Sequence, residues 1–354
     1  MNKLSGVEAA RGIAALLVVL VHATSMLSDK KYFGEMALNG LFKFGHAGVD
    51  FFFVLSGFII YFIHSDELGI RKFFASYWYK RFIRIFPIYW IVLFGYGVIL
   101  FFSPTKGLWE RDIVVAVSSF FLIPNIHGSI LGVAWTLSHE ILFYLIFSVM
   151  FINKLVGKSL LLVWLILIIY NIFTKTFTDY LWGDLILRIF NVGFFFGMAV
   201  AYLGSRGEAM APRVFFIAGI SLFFGAGIFE SWGPAVPVEW PPLHLAYATG
   251  SAAALYGLVG LERLGHLKVP SLLFTLGKAS YSIYLIHVIV IMLLQQLLIR
   301  VMPIYTAPPT LVFLAVVLIT VAISVEFSKR IEQPLLKRLR PIGTQRSKHP
   351  VASE

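Results

Sequence analysis

The stretch RGIAALLVVLVH (11–22) places an arginine and a histidine at the two ends of an otherwise apolar run. On an α-helix the eleven steps from Arg11 to His22 turn through about 1100°, so both side chains share one face, about 16 Å apart along the axis. Glu8 lies on the same face and is predicted to pair with Arg11. Histidine exchanges a proton near neutral pH, so His22 is a candidate general base or nucleophile.

Two acidic residues and two further arginines extend this set. Asp50 and Glu140 are predicted to lie near the level of His22, where a carboxylate would orient an imidazole or a bound substrate. Arg81 and Arg84 are predicted near the level of Arg11, and a planar guanidinium suits phosphate. Each residue also has a plainer interpretation. The histidine would make a hydrogen bond between helices, and the carboxylates would pair with a nearby base. The arginines would be ordinary basic residues beside a membrane. We predict catalytic roles for His22, Glu140 and Asp50, and cofactor binding by Arg11, Arg81 and Arg84.

The composition identifies the elements that position these residues. Of the 354 residues, 59% are hydrophobic and only 13% are charged, against roughly 25% charged in soluble domains. Many apolar runs are long enough to cross a bilayer, which predicts an all-α, polytopic membrane protein. The short apolar run 112–124 leaves open whether it is a further span. The predicted spans are 7–27, 44–64, 86–103, 134–152, 158–174, 182–204, 212–229, 243–261, 272–298 and 309–329.

The absence of cysteine excludes disulfides, thiolate metal sites and a cysteine nucleophile, and no metal site is predicted. The net charge of +11 is better explained by the positive-inside rule than by nucleic acid. With ten spans and a cytoplasmic N-terminus, most lysines and arginines fall inside, so both termini are predicted to be cytoplasmic. A cleavable signal peptide is disfavoured, because no small-residue cleavage site follows the first apolar run. We expect a transmembrane domain over 1–330, a basic tail over 331–354 and no soluble domain.

Six motifs in order resemble the membrane acyltransferase 3 family across nearly the whole chain. They are the Arg11–His22 spacing, GVDFFFVLSGFI (48–59), RFIRIFPIYW (81–90), AWTLSHEILFY (134–144), GKASYSIYLIH (277–287) and FSKRIEQPLLK (327–337). His139 departs from the usual pattern and resembles members that modify exopolysaccharide. The esterase-like domain that some relatives carry is not expected here.

The resemblance implies about ten helices, acyl-CoA as donor (acetyl-CoA most typically) and a hydroxyl of a surface or exported glycan, of exopolysaccharide or O-antigen type, as acceptor. It implies residence in a bacterial inner membrane, among membrane lipids, with polysaccharide-assembly proteins or a second copy as further partners. The arginines would hold the phosphates of CoA, while His22 would deprotonate the acceptor or carry the acyl group. The candidate substrate-binding residues are Trp135, Ser138, His139, Tyr144 and His287.

Two other classes compete with this interpretation. A transporter or flippase for a glycan or lipid-linked sugar would also have ionisable residues lining a cavity. However, the chain shows no pair of Gly- or Pro-broken helices in matching halves, as inverted-repeat carriers often do. A structural subunit of a polysaccharide export complex would leave the spacing of Arg11 and His22 unexplained. The acceptor and the length of the acyl group stay open.

Overall fold

The computed structural model describes residues 4–102, 112–177, 180–205, 209–237, 239–301 and 308–339. Within these ranges the chain forms helices joined by loops and short 3₁₀ turns, with no β-strand. The predicted all-α, polytopic membrane fold is confirmed. The helices are α1 (Ser5–Leu27), α2 (Ala47–His64), α3 (Phe74–Phe101), α4 (Ile113–Phe121), α5 (Trp135–Ile152), α6 (Lys154–Thr174), α7 (Leu181–Leu187), α8 (Val192–Ser205), α9 (Pro212–Trp232), α10 (Pro241–Arg263), α11 (Ser271–Lys278), α12 (Ser280–Val301), α13 (Pro309–Phe327) and α14 (Gln333–Leu339).

Among the described residues, nine helical segments are long and apolar enough to cross a membrane. The predicted span 243–261 corresponds to α10, which has 23 residues and is about 34 Å long at 1.5 Å per residue. This helix is rich in glycine and alanine and does not reach the apolarity of the other nine. It packs on α9, α8 and α2, and about half of its residues are buried. A helix enclosed by other helices meets little lipid, so it needs less apolar surface.

Some predicted boundaries differ from the observed ones. The third span was expected to begin at residue 86, but α3 begins at Phe74. Its first turns are rich in basic residues, so a prediction from apolar length leaves them out. The run 112–124 contains only the nine-residue α4, about 14 Å long and too short for a hydrocarbon core of roughly 30 Å. Two predicted spans are interrupted. The span 182–204 breaks between α7 and α8, and the span 272–298 breaks at Ala279 between α11 and α12.

Glycines allow α1 to pack closely against α11. A Cβ on Gly277 would overlap the carbonyl oxygen of Glu8, and a Cβ on Gly12 would lie 2.7 Å from the backbone nitrogen of Gly277. Small residues at such crossings are typical of membrane bundles. The start of α1 is also capped by Glu262 at the end of α10, which accepts hydrogen bonds from the backbone N–H of Gly6 and the hydroxyl of Ser5.

These contacts define one end of the bundle, which we call the basic end. It contains the start of α1, the ends of α2 and α10, and the start of α3. The other end, where α1 finishes and α10 begins, is called the opposite end.

Candidate active site

A cavity of about 730 Å³ lies between α1, α2, α3, α5 and α12. Its size is within the range of roughly 300 to 1,000 Å³ that is common for small-molecule sites. The lining extends from Leu4 and Leu336 at the basic end to Phe52, Thr136 and Tyr284 near the middle of the bundle. The walls are mostly apolar, with a small set of charged and hydroxyl side chains from five helices.

The three predicted phosphate-binding arginines all line this cavity, together with Lys80. Arg11 Nη1 lies 3.5 Å from Glu8 Oε2 on the same helix, as predicted. Arg84 Nη1 lies 3.4 Å from Glu332 Oε1, and its guanidinium is 5.5 Å from the centre of the Tyr281 ring. The fold thus brings cations from α1 and α3 together around one space.

Arg81 occupies the neighbouring wall. Its guanidinium carbon lies 5.7 Å from the centre of the Tyr144 ring. Its Nε is buried and makes no hydrogen bond to any described residue. A guanidinium at a cavity wall that is not paired with a carboxylate can bind an anionic ligand without first breaking an ion pair.

Glu140 also lines the cavity, at a deeper level than the arginines. Its Oε1 accepts hydrogen bonds from the hydroxyls of Ser56, at 3.0 Å, and Tyr144. Thr136, Glu140 and Tyr144 all line the cavity because positions four apart lie on the same face of α5.

His22 lies beside His287 of α12, just beyond the inner end of the cavity. Nε2 of His287 is 3.3 Å from Nδ1 of His22, and the ring centroids are 4.8 Å apart. The Tyr284 ring, which lines the cavity, also packs against His287 with centroids 5.9 Å apart. The Tyr284 hydroxyl bonds to Thr136 Oγ1 at 2.7 Å. Tyr284 therefore contacts both the cavity and the histidine pair.

The hydrogen bonds of the histidine pair assign its tautomers. His22 Nδ1 lies 2.9 Å from the carbonyl oxygen of Val18, and His287 Nδ1 lies 2.6 Å from that of Tyr284. A carbonyl can only accept, so Nδ1 carries the proton in each neutral ring. His287 Nε2 is then an acceptor facing the Nδ1–H of His22, and the lone pair of His22 is on Nε2. That atom is the one available to take a proton or to attack a carbonyl carbon.

Asp50 lies in a different group of side chains, toward the opposite end. Its Oδ1 is 3.0 Å from Nδ1 of His244, and both residues are about 2% exposed. The Asp50 Oδ2 atom is buried and bonds to no described residue. The structure thus gives the predicted carboxylate a histidine partner, but that partner is on α10 and is not His22.

A second histidine–carboxylate pair adjoins the first. His46 Nε2 lies 2.5 Å from Oε1 of Glu230, and the Tyr247 hydroxyl donates to Oε2 of Glu230. The rings of His46 and His244 have centroids 5.8 Å apart. Sequence reasoning missed His46, Glu230 and Tyr247. The signal for Glu230 was an acidic residue at the end of an apolar run; His46 shows no comparable signal.

The remaining predicted substrate residues lie on other faces of α5. Ser138 Oγ donates to the carbonyl of Leu122 at 2.8 Å. His139 is buried, with Nδ1 2.9 Å from Oδ1 of Asn191, whose amide in turn caps the end of α7. The Arg188 guanidinium lies 5.5 Å from the centre of the Trp135 ring. Of the predicted substrate residues, Tyr144 lines the cavity and His287 contacts His22.

Apolar spanning helices around an arginine-lined cavity, with a histidine pair at its inner end, are the architecture of a polytopic membrane protein with an internal site. The acyltransferase domain model of the acyltransferase 3 family matches residues 4–328. The chain belongs to this family and is a membrane acyltransferase, as the resemblance predicted.

Two curated relatives are similar to the chain. The exopolysaccharide production protein ExoZ of Rhizobium meliloti (strain 1021) is 28% identical over 319 residues, 84% of this chain and 92% of the relative. The acyltransferase MdmB of Streptomyces mycarofaciens is 27% identical over 167 residues, which cover 44% of this chain and 41% of the relative. No solved structure matches the chain significantly.

Proposed function

We propose that this acyltransferase moves an acyl group, typically acetyl, from cytoplasmic acyl-CoA to a hydroxyl of a surface or exported glycan. The observation that carries the proposal is the cavity lined by three arginines, with the histidine pair at its inner end. The two features match the two ends of acyl-CoA: a polyanionic nucleotide and a thioester on a thin arm.

The charge of the cavity lining supports a CoA donor. CoA carries phosphates on its nucleotide, and guanidinium groups bind phosphate with paired, charge-assisted hydrogen bonds. With the nucleotide at Arg11, Arg81 and Arg84, the acyl-pantetheine arm would extend between α1 and α5 toward Tyr284. Arg11 and His22 are about 16 Å apart along α1, a separation that an extended arm would cover.

The histidine pair supports general-base catalysis. Nε2 of His22 would take the proton from the acceptor hydroxyl while that oxygen attacks the thioester carbonyl carbon. The carbon–sulfur bond breaks, the new carbon–oxygen ester bond forms, and the imidazolium returns its proton to the CoA thiolate. His287 would hold the His22 ring in the orientation and tautomer that this step requires. The same lone pair would serve if His22 instead carried the acyl group.

The acceptor would approach from the opposite end. The two histidine–carboxylate pairs, Asp50 with His244 and His46 with Glu230, lie on that side. The first pair is buried, so His46 and Glu230 are the side chains offered to sugar hydroxyls. His46 and Glu230 are 25% and 13% exposed, so an acceptor can reach this pair. The name of the ExoZ relative refers to exopolysaccharide production, which favours a glycan acceptor.

The proposed orientation places the basic end in the cytoplasm of a bacterium, where acyl-CoA is made. The positive-inside rule favours the same orientation. Both termini would then be cytoplasmic, and the enzyme would take one substrate from each side of the inner membrane.

The proposal is tested with purified protein in liposomes, radiolabelled acetyl-CoA on the side of the basic end, and a panel of bacterial surface glycans on the other. We expect acid-stable, base-labile label on at least one glycan. Glycan that crosses the membrane without gaining label would contradict the proposal and indicate a transporter.

A further inference from the structure

The chain leaves α13 through a widened helical turn, Ser328–Glu332, before α14 begins. The N–H of Gln333 bonds to the carbonyl of Ser328, five residues back, which is the π-helical pattern. Pro334 explains the widening: it has no N–H, and in a regular α-helix its ring would clash with the carbonyl four residues earlier. Single π-turns often occur at functional sites.

This turn carries a buried carboxylate. Glu332 is 1% exposed, and its Oε2 accepts hydrogen bonds from Ser282 Oγ at 2.6 Å and Ser328 Oγ at 2.8 Å. Its Oε1 faces Arg84 Nη1 at 3.4 Å. A buried carboxylate is costly unless it is paired and hydrogen-bonded. Here, one oxygen is fixed by two hydroxyls and the other faces a cation on the cavity wall.

Arg84 is one of four basic side chains that line the cavity, against the two carboxylates of Glu8 and Glu140. Arg11, Arg81 and Lys80 line the same space, and like charges would drive unrestrained side chains apart. The Glu332 carboxylate and the Tyr281 ring both contact the Arg84 guanidinium and restrain it. Since arginine has five N–H donors, the carboxylate leaves several of them for a ligand.

We propose that Glu332 is a positioning residue for the donor site, which holds Arg84 in place to bind a phosphate of acyl-CoA. The inference rests on the proposed function, because it assumes a CoA donor. Two effects oppose each other: the carboxylate reduces the positive potential of the cavity, and it preorganises the guanidinium. We expect the second effect to dominate. The hydrogen bonds from Ser282 and Ser328 fix Oε2 of Glu332, and this holds the other carboxylate oxygen against Arg84.

The experiment measures the Kd of CoA and the steady-state kinetics of acetyl-CoA with the full-length protein in detergent or liposomes. Glu332→Gln keeps the size and removes the charge. We expect about a tenfold weaker Kd for CoA, the scale of one hydrogen bond to a charged group. KM for acetyl-CoA should rise with little change in kcat. Glu326→Gln is the matched control, since Glu326 is exposed and pairs with Arg330, four residues further along the chain.

A double-mutant cycle separates positioning from general damage to the fold. If Glu332 acts through Arg84, then Arg84→Gln should weaken CoA binding, and adding Glu332→Gln should cost little more. Additive losses in the double variant would contradict the proposal. If Glu332→Gln does not fold, the pair Ser282→Ala and Ser328→Ala removes the anchors of the carboxylate, and it should weaken CoA binding in the same direction.

Pro334→Ala provides a test that leaves the carboxylate intact. Without proline the helix can continue regularly through the turn, which would rotate Glu332 away from Arg84 and weaken CoA binding. Unchanged or tighter CoA binding by Glu332→Gln would overturn this inference alone. Failure of the wild-type protein to bind CoA would overturn the donor assignment and, with it, this inference.

Discussion

Nε2 of His287 faces Nδ1 of His22 at 3.3 Å, although the two residues are 265 positions apart in the chain. The carbonyls of Val18 and Tyr284 fix the proton on Nδ1 of each ring. The arrangement orients the lone pair of His22 on Nε2. His287 thus contacts the ring of His22 directly, which its place in a family motif does not reveal.

Replacing His287 should impair the chemical step. His287→Ala removes the neighbour of the His22 ring, and a small misplacement of a catalytic group costs about 10²-fold. We therefore expect kcat to fall by about that factor, while the Kd of CoA stays near the wild-type value. His266→Ala is the control, because His266 is exposed in the loop after α10. A wild-type kcat in His287→Ala would show that His22 needs no such partner.

Removing an arginine from the cavity should weaken binding of the acyl-CoA donor and leave the rate of the chemical step little changed. Arg81→Gln should raise KM for acetyl-CoA about tenfold or more, because a hydrogen bond to a charged group contributes about 1.5 to 3 kcal/mol. Arg81→Lys should recover only part of the loss, since lysine lacks the planar fork. Arg300→Gln, at the exposed far end of α12, should leave KM unchanged. Equal effects of Arg81→Gln and Arg300→Gln on KM would contradict a phosphate site.

The acceptor side should respond separately. Glu230→Gln removes the charge that His46 and Tyr247 share. With the glycan that the panel identifies, we expect a higher acceptor KM and an unchanged Kd for CoA. Glu35→Gln, an exposed residue in the loop after α1, is the control. A change in CoA affinity with no change in acceptor KM would place Glu230 on the donor side instead.

Close packing between α1 and α11 should contribute to the stability of the fold. Gly277→Val would force a side chain into the carbonyl of Glu8, and overpacking costs about 1 to 3 kcal/mol. The melting temperature in detergent should fall by several degrees. Gly225→Val adds a side chain in α9 where nothing lies within 4 Å, so it should change the melting temperature much less. Equal shifts in the two variants would argue against close packing at Gly277.

The sequence predicts the membrane fold well because its signal is local. Apolar length predicts the helices, and the spacing of Arg11 and His22 predicts a common face. Tertiary pairing is not local: nothing in the sequence pairs Asp50 with His244 or Glu332 with Arg84. In α5, Glu140 and Tyr144 are four residues apart and share a helix face, whereas Ser138 lies on another face. The helical period alone would therefore have predicted that Ser138 does not line the same cavity.

The most direct test is acyl transfer by wild type and His22→Ala, measured with the Kd of CoA for both. In His22→Ala the arginine-lined cavity stays intact while the base is lost. We predict normal CoA binding and a loss of transfer of at least 10², the lower end of what a positioned base contributes. His22→Ala that binds CoA and still transfers the acyl group at the wild-type rate would contradict the central claim.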